Sequence, residues 1–236
     1  MIERSDREYT KEEVLGVMEP LISKWFTERF DGLTEPQAKA IPLIHDRKNV
    51  LVSSPTGSGK TLTAFTSIIN ELTKYASEGK LEERIYCVYI SPLKALANDV
   101  NRNLTEPLRQ MEEVAERTGM ESPGIRVAVR SGDTPQSERQ RMARRPPHIL
   151  ITTPESLALI MSSPRFKEKF QQVEWVILDE IHDICDSKRG AFLSLTLERL
   201  RDWCETDFTR IGLSATLAPM EAIAGYLVGN NPDGSV

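Results

Sequence analysis

A short loop of small residues between an apolar run and a helical pattern constrains this chain more than any other feature. Residues 49–65 read NVLVSSPTGSGKTLTAF, so an apolar β-type run leads into a loop at 54–59 and then into a helix. The start of a helix presents unpaired N–H groups and the positive end of the helix dipole, both of which attract anions. The segment therefore predicts a phosphate-binding loop rather than an ordinary turn before a helix.

The residue types in the loop suit a nucleoside triphosphate. Gly57 and Gly59 let the backbone approach an anion closely. Thr56 precedes the first glycine, and Ser58 lies between the two. Lys60 would reach the β- and γ-phosphates, and the Thr61 hydroxyl would ligate Mg²⁺. The pattern G-x-x-x-x-G-K-[ST] has one departure here, because position 54 is serine instead of glycine. A small residue keeps the loop tight, and both flanking elements favour the phosphate interpretation.

Strand patterns and helix patterns then alternate along the chain. Apolar β-type runs are predicted at residues 84–90, 125–129, 148–152, 173–178 and 209–213. This alternation predicts an α/β fold with a mostly parallel sheet covered by helices on both faces. Polar clusters follow the strands (SPTGSGKT, SPLK, SGD, TTPES, DEIH and SAT), so we expect them to share one edge of the sheet, where ligands bind in such folds.

Two carboxylates end the strand at 173–178. Asp179 is predicted to hold Mg²⁺, mostly through water, because this ion keeps much of its hydration. Glu180 is placed to orient and deprotonate the water that attacks the γ-phosphoryl group. An Asp-Glu pair alone is a common strand end, and it gains its meaning from the Lys60 loop far upstream.

Three residues near these carboxylates are candidates for coupling. We predict that His182 hydrogen-bonds across the sheet edge and senses the γ-phosphate, and that Ser214 and Thr216 relay the state of the nucleotide. By spacing alone, the last two are only a Ser/Thr turn before a helix. His45 and His148 are predicted to be structural.

Gln37 carries two interpretations that local sequence does not separate. It stands three residues after Thr34 and could close a capping box at a helix start. Its amide could also read the adenine edge, because it donates and accepts at once.

The ends of the chain and its proline-containing turns complete the organisation. Residues 1–33 are predicted to form a helical extension, with a capping box at Thr10 and one core-facing helix that ends near Phe30. Helix starts are predicted at Ser91-Pro92 and at Thr153-Pro154. Residues 34–229 form the main domain, and 230–236 are predicted to be a linker.

An arginine-rich run is either a solvated helix face or a nucleic-acid contact; its members are Arg139, Arg141, Arg144 and Arg145.

Composition argues against a strongly basic nucleic-acid binder, a disulfide or zinc protein, and a secreted or membrane protein. The net charge is −5, so any contact with nucleic acid must be local. Three widely spaced cysteines (Cys87, Cys185 and Cys204) suggest buried thiols in a reducing compartment rather than disulfides or a zinc site. The charged N-terminus has no apolar signal region, and no apolar run has the length of a membrane span. These features predict a cytoplasmic protein with no membrane partner.

The ordered set of Gln37, SPTGSGKT, SPLKALAND, SGDTP, TTPES, DEIH and SAT resembles the first RecA-like lobe of superfamily 2 helicases and covers nearly the whole chain. The tetrad DEIH is similar to that of the DExH group. The stretches LTEPQAKAIP, GDTPQSERQRMARRPPHILITTPESL and DEIHDICDSKRG resemble the large helicase-related (Lhr) family most, ahead of the Ski-type RNA helicases and their archaeal DNA-repair relatives.

The resemblance implies a RecA-like P-loop NTPase domain that uses ATP and Mg²⁺. It implies that Gln37 recognises adenine, that Lys60, Asp179 and Glu180 are catalytic, and that Ser214 and Thr216 couple hydrolysis to movement. It also implies contacts with the backbone of single-stranded DNA or RNA, partly through helix-start N–H groups; the matching residues are Pro92, Leu93, Lys94, Gly132, Asp133, Thr153, Pro154 and Glu155.

Such helicases carry an arginine finger on a second RecA-like lobe, and the residues after Thr216 are too few to supply one. Since that finger contributes about 10³–10⁵ in rate, we expect this chain alone to hydrolyse ATP poorly and not to unwind. A double-strand translocase and a regulatory binding module without turnover stay open as alternatives. The choice between DNA and RNA also stays open, because phosphate contacts are common to both.

Overall fold

The computed structural model describes residues 2–92, 94–215 and 219–229, and the side chains of 94–103 and 164–165 lie outside that description. Within it, strands and helices alternate. The strands are β1 (Val50–Ser53), β2 (Cys87–Ile90), β3 (Val127–Arg130), β4 (Ile149–Thr152), β5 (Trp175–Leu178) and β6 (Thr209–Ser214). The helices are α1 (Lys11–Gly16), α2 (Pro20–Arg29), α3 (Glu35–His45), α4 (Lys60–Ser77), α5 (Lys94–Thr118), α6 (Gln136–Arg144), α7 (Pro154–Met161), α8 (Pro164–Phe170), α9 (Lys188–Trp203) and α10 (Met220–Val228), with a 3₁₀ turn at Ile181–Asp183.

The six described strands form one sheet in the order β1-β6-β5-β2-β4-β3. Every neighbouring pair in that order is parallel. The predicted parallel sheet is therefore confirmed. Because all strands point the same way, their carboxyl ends lie along one edge, which we call the rim. The strand order itself was not predicted, and it decides which loops become neighbours on the rim.

Alternate residues of the strands feed two separate hydrophobic cores, one on each face of the sheet. On β2, Cys87 and Tyr89 join the core that contains Phe65 of α4. Val88 and Ile90 point to the opposite core, with α7, α8, α9 and α10. This period of two is the geometry of a strand covered on both sides, and it confirms the prediction of helices on both faces.

The N-terminal extension is two helices, so the prediction of one helix ending near Phe30 is wrong. Pro20 is the first residue of α2, and proline has no N–H with which to continue the preceding helix. The side chain of Asn70 on α4 joins the two helices to the core. It accepts from the Glu19 N–H at 2.6 Å and donates to the carbonyl of Val17 at 3.0 Å.

One predicted helix start also needs correction, while another is confirmed. Helix α5 begins at Lys94 rather than at Ser91 or Pro92. Ser91 still pairs with β4, with a 3.0 Å bond from its N–H to the carbonyl of Thr152, and the Pro92 carbonyl that an earlier helix start would use accepts from Arg189. Thr153 caps α7 as predicted, with Pro154 at its first position. Among the described helices, none is both long and apolar enough to span a membrane.

Candidate functional site

The strand order divides the rim into two halves. The phosphate-type loop, the Ser214 turn and the Asp179–His182 segment follow β1, β6 and β5, which are neighbours in the sheet. The segments after β2, β4 and β3 occupy the other half, and they contain the predicted single-strand contacts. Strands β5 and β2 pair directly, so the two halves meet between them.

The loop between β1 and α4 has the backbone that its glycines permit. Gly57 and Gly59 have φ angles of 82° and 92°, in the left-handed region that side chains other than glycine rarely adopt. A Cβ on Gly59 would also lie 3.4 Å from the Thr34 hydroxyl oxygen. Ser54, the departure from the expected pattern, has no such positive φ. Its hydroxyl lies 2.5 Å from that of Ser58, so serine at this position closes the loop instead of straining it.

Lys60 begins α4 and folds back over the loop. The residue is 6% exposed, and its ammonium group donates to the carbonyl oxygens of Ser54 at 2.5 Å and Pro55 at 3.0 Å. Among the described residues, no carboxylate lies within hydrogen-bonding distance of this ammonium, although its charge acts on Asp179. The loop therefore places a cation where a phosphate would neutralise it.

Asp179 is held at the end of β5 by two hydrogen bonds. Its Oδ1 atom accepts from the Glu180 N–H at 3.0 Å, and its Oδ2 atom accepts from the Tyr89 hydroxyl. Burial raises the pKa of the Asp179 carboxyl, against the opposing effects of the Tyr89 hydrogen bond and the Lys60 charge. Burial also raises the pKa of Tyr89 well above its usual value, so the phenol stays protonated and donates.

Glu180 combines an uncommon backbone with an unused acceptor. Its φ and ψ are 44° and 45°, a left-handed conformation for a residue with a side chain. Such a conformation costs on the order of 1–3 kcal/mol and is found most often at functional sites. Its Oε2 atom is buried and has no hydrogen-bond partner among the described residues. An orphaned carboxylate oxygen beside Asp179, whose carboxyl is in reach of the Lys60 charge, fits a site for water and a hydrated Mg²⁺ ion.

His182 connects the Asp179–Glu180 segment to the end of β6. Its Nδ1 atom lies 3.3 Å from the Ser214 hydroxyl and accepts from the Ala215 N–H at 3.4 Å. The same atom is 3.4 Å from Glu180 Oε2. The structure thus brings His182 and Ser214 together as predicted, while Thr216 lies outside the described residues.

The other two histidines have structural surroundings. His45 Nδ1 is 2.6 Å from the Glu71 carboxylate in a polar group on α3 and α4. His148 is 2% exposed and accepts from the Arg126 N–H through Nδ1 at 3.2 Å. Burial lowers the pKa of His148 to about 4, so it stays neutral.

Gln37 forms the capping box that was one of its two interpretations. Its Oε1 atom accepts from the Thr34 N–H at 2.9 Å, and Thr34 in turn caps α3. Thr10 and Glu13 form the same arrangement at the start of α1. The Nε2 atom of Gln37 has no hydrogen-bond partner in the described part of the chain. Since Thr34 also lies beside Gly59, this free donor stands close to the loop.

The second half of the rim is organised by Arg189, a residue of α9. Its Nε atom donates to Glu155 Oε1 at 2.5 Å, and one Nη donates to Glu155 Oε2 at 3.0 Å and to the carbonyl of Pro92 at 2.7 Å. One guanidinium therefore joins the end of β2 to the start of α7. The Thr153 hydroxyl is used locally, where it accepts from the Ser156 N–H. Leu93 and the side chain of Lys94 lie outside the described residues.

The turn after β3 is held by one member of the arginine-rich run. Arg139 donates to the carbonyl oxygens of Gly132 and Thr134, both at 2.7 Å, which fixes the turn containing Asp133. The remaining arginines of the run are exposed. Arg139 therefore stabilises this turn, whereas the other three arginines of the run lie on an exposed surface.

Two residues in these contacts were not predicted from the sequence. Tyr89 looks like any apolar strand residue, and its contact with Asp179 depends on the pairing of β2 with β5. Arg189 looks like an exposed helix residue, and no local pattern relates it to Glu155. The one signal for Tyr89 in the sequence is a hydroxyl group within an otherwise apolar strand.

Comparisons with known proteins agree with this geometry. The sequence profile of the family described as DEAD/DEAH box helicase matches residues 34–223. The "ATP-dependent helicase Lhr-Core" of Methanothermobacter thermautotrophicus is 56% identical over 229 residues, which cover 97% of this chain and 26% of that protein. The "Lhr helicase/uracil glycosylase" of Escherichia coli is 42% identical over 92% of this chain and 14% of its own length.

Among solved structures, the Lhr helicase of Mycobacterium smegmatis bound to ssDNA and AMP-PNP superposes with a TM-score of 0.87 and 46% identity. The match covers 94% of this chain and 28% of that one. This chain thus spans about a quarter of the length of its archaeal relatives and of the mycobacterial structure, and less of the bacterial relative.

Proposed function

This chain belongs to the DEAD/DEAH box helicase family, and on that premise we propose that it is the N-terminal ATP-binding motor lobe of a longer Lhr-type helicase. The lobe binds Mg²⁺-ATP on the β1-β6-β5 half of the rim and a single nucleic-acid strand on the β2-β4-β3 half. Hydrolysis requires a second RecA-like lobe of the parent chain. The observation that carries the proposal is the presence of the buried Lys60 after β1 and the orphaned Glu180 carboxylate oxygen after β5, on strands separated only by β6, with the Lys60 charge acting on the neighbouring Asp179.

The nucleotide half of the rim has groups that would bind the phosphates directly and groups that would hold Mg²⁺ beside them. The N–H groups of the loop at 56–59 and the start of α4 bind the phosphate oxygens. Lys60 exchanges its bonds with the Ser54 and Pro55 carbonyls for bonds with the β- and γ-phosphates. Thr61 and Asp179 would hold Mg²⁺, which neutralises charge on the phosphates.

Glu180 and His182 act on the γ-phosphate side. The free Oε2 atom of Glu180 accepts a hydrogen bond from the attacking water and then takes its proton. His182 lies between this carboxylate and Ser214. A shift of the γ-phosphate region therefore reaches the end of β6 through one histidine ring, which is the basis of the proposed coupling.

The proposed strand contacts lie on the other half of the rim, with Thr153, Pro154 and Gly132 at helix and turn starts. Backbone N–H groups around these residues, except at Pro154, which has none, bind phosphates without reading sequence. The relative from Mycobacterium smegmatis is bound to ssDNA in its solved structure, which supports a single strand as the ligand.

A test of this function uses the full-length parent protein with radiolabelled duplexes that carry a single-stranded tail. We expect ATP-dependent strand displacement, which Lys60→Ala abolishes. ATP turnover that is stimulated by duplex without any displaced strand would instead indicate a double-strand translocase. Binding of nucleotide and single strand without turnover would indicate a regulatory module.

The two interpretations of Gln37 are separable by one substitution. Gln37→Glu keeps the acceptor for the Thr34 N–H, as Glu13 does for Thr10, but removes the Nε2 donor. We expect the melting temperature of Gln37→Glu to stay near that of the wild type while the preference for ATP over GTP falls several-fold, since one hydrogen bond contributes about 0.5–1.5 kcal/mol. The ratio of the two affinities is the measurement, because the added charge affects both nucleotides equally.

Gln37→Ala serves as the control, because it removes the cap as well and is expected to lower the melting temperature. An unchanged ATP preference in Gln37→Glu would leave Gln37 with the capping role alone.

Arg189 is expected to support strand binding without touching the strand. Arg189→Ala releases Glu155 and the Pro92 carbonyl, and we expect the affinity for a single-stranded oligonucleotide to fall a few-fold. Because Arg189 contacts no phosphate in this account, the slope of log affinity against log salt concentration stays the same, whereas losing a phosphate contact lowers it by about one unit. Fluorescence anisotropy at several salt concentrations measures both quantities.

The matched control is Arg199→Ala, which removes an exposed arginine from the same helix and should leave the affinity unchanged. A lower salt slope for Arg189→Ala would show that Arg189 binds the strand directly.

A further inference from the structure

Tyr89 lies at the boundary between the two halves of the rim. It belongs to β2, where it is paired in register with Ile177 of β5. Side chains alternate along a strand, so Asp179, two residues after Ile177, points to the same face as Tyr89. The pairing of these two strands therefore brings a tyrosine hydroxyl of one half to the carboxylate of the other.

The ring of Tyr89 is fixed by its packing. The residue is fully buried, and its ring stacks on that of Phe65 with centroids 4.9 Å apart and planes 20° apart. Phe65 belongs to α4, the helix that Lys60 begins. The position of the hydroxyl is thus set by the same helix that positions the phosphate loop.

The hydroxyl of Tyr89 contacts one of the residues assigned to the metal and lies near the other. It donates to Oδ2 of Asp179, and the nearby Thr61 side chain opposes the rise in the pKa of the same phenol. Phenylalanine at this position would fill the same space and stack on Phe65 equally well. Packing therefore does not account for the hydroxyl, and its contacts do.

We propose that Tyr89 is a positioning residue for the magnesium site, because its phenol holds the Asp179 carboxylate in one orientation beside Thr61. The proposal rests on the function proposed above and names a residue that acts through Asp179. With Oδ1 bound by the Glu180 N–H and Oδ2 by Tyr89, the carboxylate is fixed at both oxygens. Without the phenol, Oδ2 loses its described partner and the carboxylate is free to rotate about one remaining bond.

The size of the effect follows from other metal sites. Removing a group that orients a metal ligand lowers metal affinity by about 10–100-fold. Tyr89→Phe is therefore expected to reduce the gain in nucleotide affinity that Mg²⁺ provides by about tenfold. The affinity for nucleotide without metal is expected to stay unchanged, because the loop and Lys60 are not altered.

The experiment titrates AMP-PNP into this chain by calorimetry, once with Mg²⁺ and once with EDTA. Tyr86→Phe is the matched control. Tyr86 is also fully buried, but its hydroxyl binds the Glu82 N–H and the Lys80 carbonyl before the start of β2, at the opposite end of the sheet. We expect Tyr86→Phe to show the full Mg²⁺ gain and Tyr89→Phe to show the reduced gain. Melting temperatures in EDTA verify that both variants are folded.

A second comparison tests whether Tyr89 acts through Asp179. In an Asp179→Asn background, Tyr89→Phe is expected to cause no further loss of the Mg²⁺ gain, since contacting residues of one network are not additive. A full loss in that background would overturn the proposal, as would an unchanged or larger Mg²⁺ gain in Tyr89→Phe alone. Absence of AMP-PNP binding by the wild type and by the full-length parent would instead refute the proposed function itself.

Discussion

Replacing Glu180 with glutamine is expected to reduce ATP turnover by the full-length protein by about 10²–10⁴-fold, the usual contribution of a general base. Glutamine has the same size and can keep the contact with His182, but it does not accept a proton from water at neutral pH. The affinity for AMP-PNP is expected to stay near that of the wild type, because Lys60, Thr61 and Asp179 are unchanged. The expected result is thus a protein that binds nucleotide and does not turn it over.

Phosphate release in the presence of a single-stranded oligonucleotide measures this effect. Glu205→Gln is the matched control, since it makes the same chemical change at an exposed residue after α9. Retained turnover in Glu180→Gln would contradict the proposed role of Glu180, because another group would then remove the proton. The buried Oε2 atom without a described partner would then have no role in turnover.

Lys60→Ala has the second large effect, and it acts on binding. The variant removes a buried cation whose bonds to phosphate each contribute about 1.5–3 kcal/mol, which is about ten- to a hundredfold in affinity. It also removes the contacts that draw the Ser54 and Pro55 carbonyls together. We expect affinity for Mg²⁺-AMP-PNP to fall by at least this factor, as measured by calorimetry.

Lys74→Ala controls for the loss of one positive charge, because Lys74 is exposed near the other end of α4. It is expected to bind as the wild type does. Equal affinities for Lys60→Ala and the wild type would remove the phosphate loop from the account.

Features that depend on local chemistry were predictable from the sequence. The glycines of the loop at 54–59 predicted a phosphate-binding loop, and both have positive φ angles that favour glycine at those positions. The alternation of strand and helix patterns predicted the parallel sheet, and a parallel sheet necessarily collects its strand ends on one rim. For the same reason Asp179 and Glu180 were expected after the end of a strand, and β5 ends at Leu178.

Features that depend on which strands become neighbours were not predictable. Tyr89 reaches Asp179 only because β2 pairs with β5, and nothing near residue 89 specifies that pairing. Arg189 joins Pro92 and Glu155 across three segments that are distant in sequence. The start of α5 was misplaced for a related reason, since the Pro92 carbonyl accepts from Arg189 of a distant helix.

The left-handed backbone of Glu180 also lay beyond sequence reasoning, because glutamate has no preference for it. Its presence is consistent with a site where local strain is maintained by the surrounding fold. Glu180 has both the strained backbone and the carboxylate oxygen without a described partner, as expected for a residue that acts on the substrate.

The most direct test of the central claim is a calorimetric titration of AMP-PNP into the wild-type chain, with and without Mg²⁺. The account predicts saturable binding of one nucleotide per chain, with an affinity that rises when Mg²⁺ is present. No binding to this chain and none to the full-length parent would contradict the account, because the buried ammonium of Lys60 and the free oxygen of Glu180 would then serve no nucleotide.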